Sequence, residues 1–153
     1  MCIRDRSSAK IERISLNDRP ASELLLHGTI ASKYHVPLVF VSGDFGICKE
    51  IRSINPLTIT HSTMHGIGDS TISLQPELSR LQIKKKVEKA LSLDLKLCIW
   101  AHPNKFKLEI RYMKHVDAYK ASQYPNAIML NGKSVIYESK DYDDIMRFIL
   151  FCV

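Results

Sequence analysis

Residues 36–42, Val-Pro-Leu-Val-Phe-Val-Ser, form a short and almost wholly apolar run, and no other segment constrains the fold as much. The run is far below the ~20 residues that a membrane span requires. It is also too uniformly apolar for a strand with one wet face, so it reads as a strand buried on both faces. Strands of that kind belong to α/β proteins, in which helices cover the sheet. The flanking sequence agrees. Residues 11–16 have strand character and close in the turn Asn17-Asp18-Arg19-Pro20. Pro20 stands where a helix can begin, and residues 21–34 are good helix formers. Gly43 and Asp44 break the apolar run before a short helix over 45–54.

Further along, 57–60 is a β-branched run, followed by a loop containing Gly66 and Gly68 and by a long helix from Pro76 to about residue 93. Residues 106–112 alternate as a strand and 115–123 are helical. Asn131-Gly132, between apolar runs at 127–130 and 134–137, signals a hairpin because both residues tolerate positive φ. A helix over 141–151 closes the chain, with acidic residues in its first turn matching the dipole. No internal repeat or low-complexity segment interrupts this order. The expected class is α/β, a three-layer α/β/α fold with a mixed sheet, incomplete at the N-terminus.

At 153 residues one domain is expected. The ends read as cuts: Met1-Cys2-Ile3-Arg4-Asp5-Arg6 fits no structural pattern and reads as a non-native leader, and the chain stops in an apolar run. Residues 7–153 are then the carboxyl-terminal part of a larger domain. The formal charge of +6 raises the question of nucleic acid, yet the one basic run, Lys84-Lys85-Lys86, lies in a helical pattern and reads as a solvated face. Neither a nucleic-acid nor a membrane partner is expected. Four cysteines without CxxC spacing, and no export signal, place the protein in a reducing cytoplasm as far as composition can.

Three places offer chemistry beyond the ends of strands. Glu23 and His27 are four apart, so on a helix they share a face and could reach one cation, although an exposed Glu–His pair is the simpler reading. Asp44 stands at the lip of the buried strand, as a site carboxylate or as a helix N-cap. The segment Met64-His65-Gly66-Ile67-Gly68-Asp69 lacks the Lys-Ser/Thr of a phosphate loop and reads as flexible linkage. His61 and His65 share the loop after a strand and are candidate ligands. The dispersed histidines form no Ser-His-Asp order.

Two stretches go further than composition: Ile14-Ser15-Leu16-Asn17-Asp18-Arg19-Pro20-Ala21-Ser22-Glu23 and His35-Val36-Pro37-Leu38-Val39-Phe40-Val41-Ser42-Gly43-Asp44. They resemble the zinc D-aminopeptidases associated with bacterial dipeptide transport. Looser likeness at Gly66-Ile67-Gly68, Leu74-Gln75-Pro76 and Tyr124-Pro125 through Asn131-Gly132 extends the resemblance over most of 11–151.

The resemblance implies a metallopeptidase with two zinc ions, acting on short peptides that contain D-amino acids, and a homo-oligomer is expected. It makes Glu23 a zinc ligand, with His27 and Asp44 as groups supporting the metal or touching the substrate. The family's Asp-x-Glu, its ligand histidines and its catalytic His precede residue 11, so no catalytic residue is assigned here and the chain alone is expected to be inactive. His27 stands where the family usually has Asn, and Met64 and Asp69 where it has basic residues. The alternative is a non-catalytic α/β module for peptide binding or assembly.

Overall fold

A computed structural model describes residues 9–153. In chain order the elements are β1 (Ile11–Leu16), β2 (Arg19–Pro20), α1 (Glu23–Lys33), β3 (Phe40–Asp44), α2 (Phe45–Ile54), β4 (Ile59–Ile67), β5 (Ser70–Ser73), α3 (Pro76–Leu91), β6 (Phe106–Tyr112), α4 (His115–Ser122), β7 (Ile128–Asn131), β8 (Ser134–Ser139) and α5 (Tyr142–Cys152). A 3-10 turn, Leu95–Cys98, follows α3. The mixed α/β class matches the expectation. The strands are divided between two sheets, and the described residues between two compact units, one of residues 27–102 and one that combines residues 9–26 with 103–153.

The second of these units holds a five-stranded antiparallel sheet in the order β2-β1-β6-β8-β7. Its central strand β6 alternates as read, with Phe106, Leu108, Ile110 and Tyr112 buried. They pack in a core with Ile14, Leu16, Leu26, Val135, Ile145 and Phe148. Phe106 and Tyr142 sit 4.8 Å apart by ring centroid, and the Tyr142 hydroxyl donates to the Leu26 carbonyl at 3.0 Å, which gives a buried phenol the partner it needs. The β1–β2 turn places Asn17 at φ 48 and Asp18 at φ 64, the left-handed pair of a tight hairpin.

The β7–β8 hairpin forms by another route than the one expected. Gly132 does not occupy the left-handed region; the Asn131 side chain instead accepts from the backbone of Lys133 and Ser134, both at 3.0 Å. Asparagine here works through its own carbonyl oxygen rather than through backbone tolerance.

The other unit is built on β3, β4 and β5. β3 and β4 run parallel, joined by the crossover helix α2, and β5 returns antiparallel to β4. The apolar run enters its sheet later than its composition indicates, at Phe40, and its residues 37–40 are half-buried rather than enclosed. Pro37 cannot donate to a ladder, and the segment before the strand is tied instead by single bonds, Leu38 N–H to Cys98 O and Ile59 N–H to Val39 O. The expected flexible loop at Gly66 and Gly68 is also corrected. Both lie in the β4–β5 hairpin, with Gly68 at φ 58 in the turn and Met64–Ile67 paired to Ser70–Ser73.

Gly28, on α1, is buried against Trp100, and a methyl group there would overlap the indole ring. Glycine inside a helix normally destabilises by about 1 kcal/mol relative to alanine. Here the substitution runs the other way: Gly28→Ala is expected to lower stability by about 1–3 kcal/mol through overpacking. Urea unfolding followed by Trp100 fluorescence checks it; a stabilised variant contradicts the packing.

Candidate functional site

α1 begins because Ser22, itself buried, accepts from the Leu25 N–H at 3.0 Å and so caps the first turn. Pro20 belongs to β2 rather than to the helix start. Glu23 is therefore the first helical residue, where a carboxylate complements the dipole. It is exposed, and so is His27 one turn on. The two share a face of α1, as their spacing requires, and both side chains are reachable from solvent.

Asp44 stands at the β3–α2 junction and its Oδ1 accepts from the Ile47 N–H at 2.8 Å. It is the N-cap of α2. The approach of helix to strand is close here, since a Cβ on Gly43 would lie 2.7 Å from the Ile47 Cγ2. A cavity of about 350 Å³ opens beside this junction, lined by Asp44, Phe45, Met64, His65 and Thr71 among others. His65 meets the Phe45 ring edge-on at 5.1 Å.

His61 and His65 are on β4, not on a loop, and they part company there. An extra residue in β4 between Ser62 and Met64, opposite Gly43 and Asp44, makes a bulge, with Thr63 Oγ1 donating to Gly43 O at 3.1 Å. Four residues along an unbroken strand return to the same face; across the bulge the phase inverts. His65 is exposed, whereas His61 is 2% exposed. The His61 Nε2 lies 3.2 Å from Ser79 Oγ and its Nδ1 3.3 Å from Lys86 Nζ, which also donates to Thr60 O at 3.0 Å. Burial, and then the Lys86 charge, lower the His61 pKa below its ordinary value.

Lys86 is the residue that the sequence reading missed. The basic run splits: Lys84 and Lys85 are exposed, and Lys86 turns inward. The signal was present in the spacing, because Ser79, Ile83, Lys86 and Ala90 recur at four, three and four residues along the buried stripe of α3.

Among the described residues, no group of three or more His, Cys, Asp or Glu side chains could hold a metal ion. A zinc site needs about three or four protein ligands. Cys48 and Cys98 are buried thiols whose pKa values are raised by burial, which disfavours the thiolate a metal requires. The described residues thus do not by themselves build a zinc centre.

The comparisons with known proteins bear directly on this. A family profile described as D-aminopeptidase matches residues 6–151. The chain belongs to the D-aminopeptidase family. It is similar to the D-aminopeptidase of Bacillus subtilis (strain 168), at 26% identity over 133 residues, covering 86% of this chain and 48% of that protein. Among solved structures it is similar to the Zn-dependent D-aminopeptidase DppA from Bacillus subtilis, described as a self-compartmentalizing protease. The TM-score is 0.80 at 24% identity, over 94% of this chain and 53% of the other, a likeness of fold. The chain spans about half the length of the curated relative it matches.

The capping role of Asp44 yields a direct test. Asp44→Ala is expected to destabilise the protein by about 1 kcal/mol, and Asp44→Ser by much less, since serine keeps an acceptor for the Ile47 N–H. Equilibrium urea unfolding of both variants checks the order.

Proposed function

We propose that the chain is part of a zinc-dependent hydrolase that removes amino-terminal residues from short peptides containing D-amino acids. The family match across residues 6–151 carries this reading. Glu23 is the metal ligand this chain contributes: a hard oxygen donor, exposed, at the first position of α1. His27, on the same face, is a hydrogen-bonding neighbour rather than a ligand, and Asp44 shapes the strand end while capping α2. The remaining ligands and the catalytic residue belong, on this reading, to sequence that the chain's own described residues do not include. Zinc, where bound, supplies Lewis-acid activation of water and carbonyl. Glu23 supplies charge and a fixed point on a capped helix.

The chain alone is accordingly expected neither to retain stoichiometric zinc nor to hydrolyse a D-dipeptide. A form extended to the length of the curated relative is expected to do both. In that form Glu23→Ala should lose metal by elemental analysis, and unchanged stoichiometry would remove Glu23 from the site. His27→Asn should leave zinc affinity within about tenfold of the wild type, or 1.4 kcal/mol, by chelator competition; a larger drop makes His27 a ligand. A non-catalytic peptide-binding or assembly role is the competing reading, favoured by the lack of a three-ligand group among the described residues. An extended form that binds peptide but no zinc would establish it.

The reading also places the protein in the cytoplasm as a homo-oligomer. No helix among the described residues is long and apolar enough to cross a membrane. The edge strand β7 exposes Ile128, Met129 and Leu130, an apolar rim of the kind that drives self-association. Sedimentation velocity is expected to show species larger than one chain.

A further inference from the structure

The polar cluster under α3 has a proton arrangement that can be worked out from its donors. Lys86 carries only donors, and its Nζ lies 3.3 Å from the His61 Nδ1. Nδ1 is therefore the acceptor, and the neutral ring carries its proton on Nε2. That proton points at Ser79 Oγ, 3.2 Å away. The direction matters. A histidine that accepts from a serine activates it as a nucleophile; this one donates to it, so Ser79 is held and not activated. The arrangement ties three points of the unit together: Lys86 and Ser79 on α3, seven residues apart on one buried face, and the backbone and side chain of β4 at Thr60 and His61.

We propose that Lys86, His61 and Ser79 form an acid-sensitive latch, which holds α3 on β4 while the His61 ring is neutral and loosens it when the ring gains a proton.

The physical reason is local. A second ring proton would sit on Nδ1, the atom that now accepts from Lys86, and turn a hydrogen bond into two donors facing each other. Two positive charges would then lie 3.3 Å apart, with the ring 2% exposed. Other elements packed against β4 do not relieve this. β5 carries no titratable side chain. β3 brings Asp44, engaged at the cap of α2; α2 brings Cys48, Lys49, Glu50 and Arg52; and β4 itself brings His65, exposed beyond the bulge. The charge that acts on the ring is that of Lys86.

The sign follows from the folded-state shift. Burial and Lys86 both depress the His61 pKa, so the folded state resists the proton that the unfolded chain accepts near 6.5. Stability from this source is complete above the unfolded pKa, falls as pH drops through it, and is lost by the time pH passes below the depressed folded value. His27, His35, His65, His102 and His115 are exposed, and substitution at position 61 leaves all five in place.

The test uses the full chain and two readouts. Long-range proton–nitrogen NMR of the histidine rings at about pH 7.5 is expected to find His61 neutral with its proton on Nε2, and to place its titration below the usual histidine range. Urea unfolding is then compared at about pH 7.5 and pH 5 for the wild type and His61→Gln, which cannot titrate. The wild type should lose more of its folding equilibrium over that span than His61→Gln does, because only its ring binds a proton more readily in the unfolded chain than in the folded one. Lys86→Met should move the His61 titration upward toward the ordinary value. A ring proton on Nδ1, a His61 titration at or above the ordinary value, or equal acid sensitivity in wild type and His61→Gln would each overturn the latch. The NMR titration stands on the wild type alone, so a His61→Gln chain that fails to fold leaves the proposal decidable.

Discussion

The parallel pairing of β3 with β4 is the constraint on which one unit of this protein rests. Parallel neighbours cannot be joined by a tight turn, so the chain must leave the sheet and return, and α2 is that crossover. Much of the local sequence follows from this. Asp44 is needed to cap a helix that starts at once from the strand end. Gly43 is needed because the helix lies too close for a Cβ to clear Ile47. Asn55 ends the helix and bridges two segments, donating to Leu97 O at 2.9 Å while accepting from the Leu57 N–H at 2.9 Å. Thr58 then fixes the entry to β4 by donating to Leu38 O at 2.7 Å. Asn55 and Thr58 are buried and bonded, as an unpaired group in such a position would cost about 1–3 kcal/mol.

The solved structure that this chain resembles is described as Zn-dependent, while the described residues here hold no group of three or more metal-binding side chains. Metal sites are built where separate elements converge, and each element contributes one or two ligands. This chain spans 48% of the curated relative it matches. Burial raises the pKa values of Cys48 and Cys98, which disfavours the thiolate that a metal requires.

Local physics made much of the fold legible. α2 occupies the residues expected of it, α3 opens at Pro76, and α4 and α5 begin within a residue of expectation, because proline, caps and acidic first turns act over a few residues. The alternation in β6 was equally direct. Elsewhere the outcome depended on partners distant in sequence. The apolar run could not announce that its first residues would stay half-buried outside the ladder. The glycines at 66 and 68 looked like a loop because nothing local specifies that Met64 and His65 pair with Ser73 and Ile72. At the candidate site, the shared face of Glu23 and His27 was legible, although α1 begins at Glu23 and not beside Pro20. The fates of His61 and Lys86 were not, since one depended on a bulge and the other on which side of α3 meets β4.

That last pair bears on how α3 finds its place. The helix is polar over most of its surface, and its buried stripe is slight: Ser79 and Ala90 are buried, with Ile83, Lys86 and Val87 partly so. Apolar contact of this sort tolerates sliding, because one small side chain replaces another with little loss. A bonded polar cluster does not. A slip of one turn, about 5.4 Å, would carry Ser79 and Lys86 out of reach of His61 and Thr60. It would strand an imidazole, a hydroxyl and a carbonyl in a buried place, and an ammonium beside them. Each orphaned group adds about 1–3 kcal/mol against the slipped register. Replacing the cluster by apolar residues of equal volume could leave stability unchanged or raise it. It would also remove the feature that distinguishes the observed register from its neighbours. In this unit the buried polar residues therefore matter more for which packing is adopted than for how tightly the packing holds.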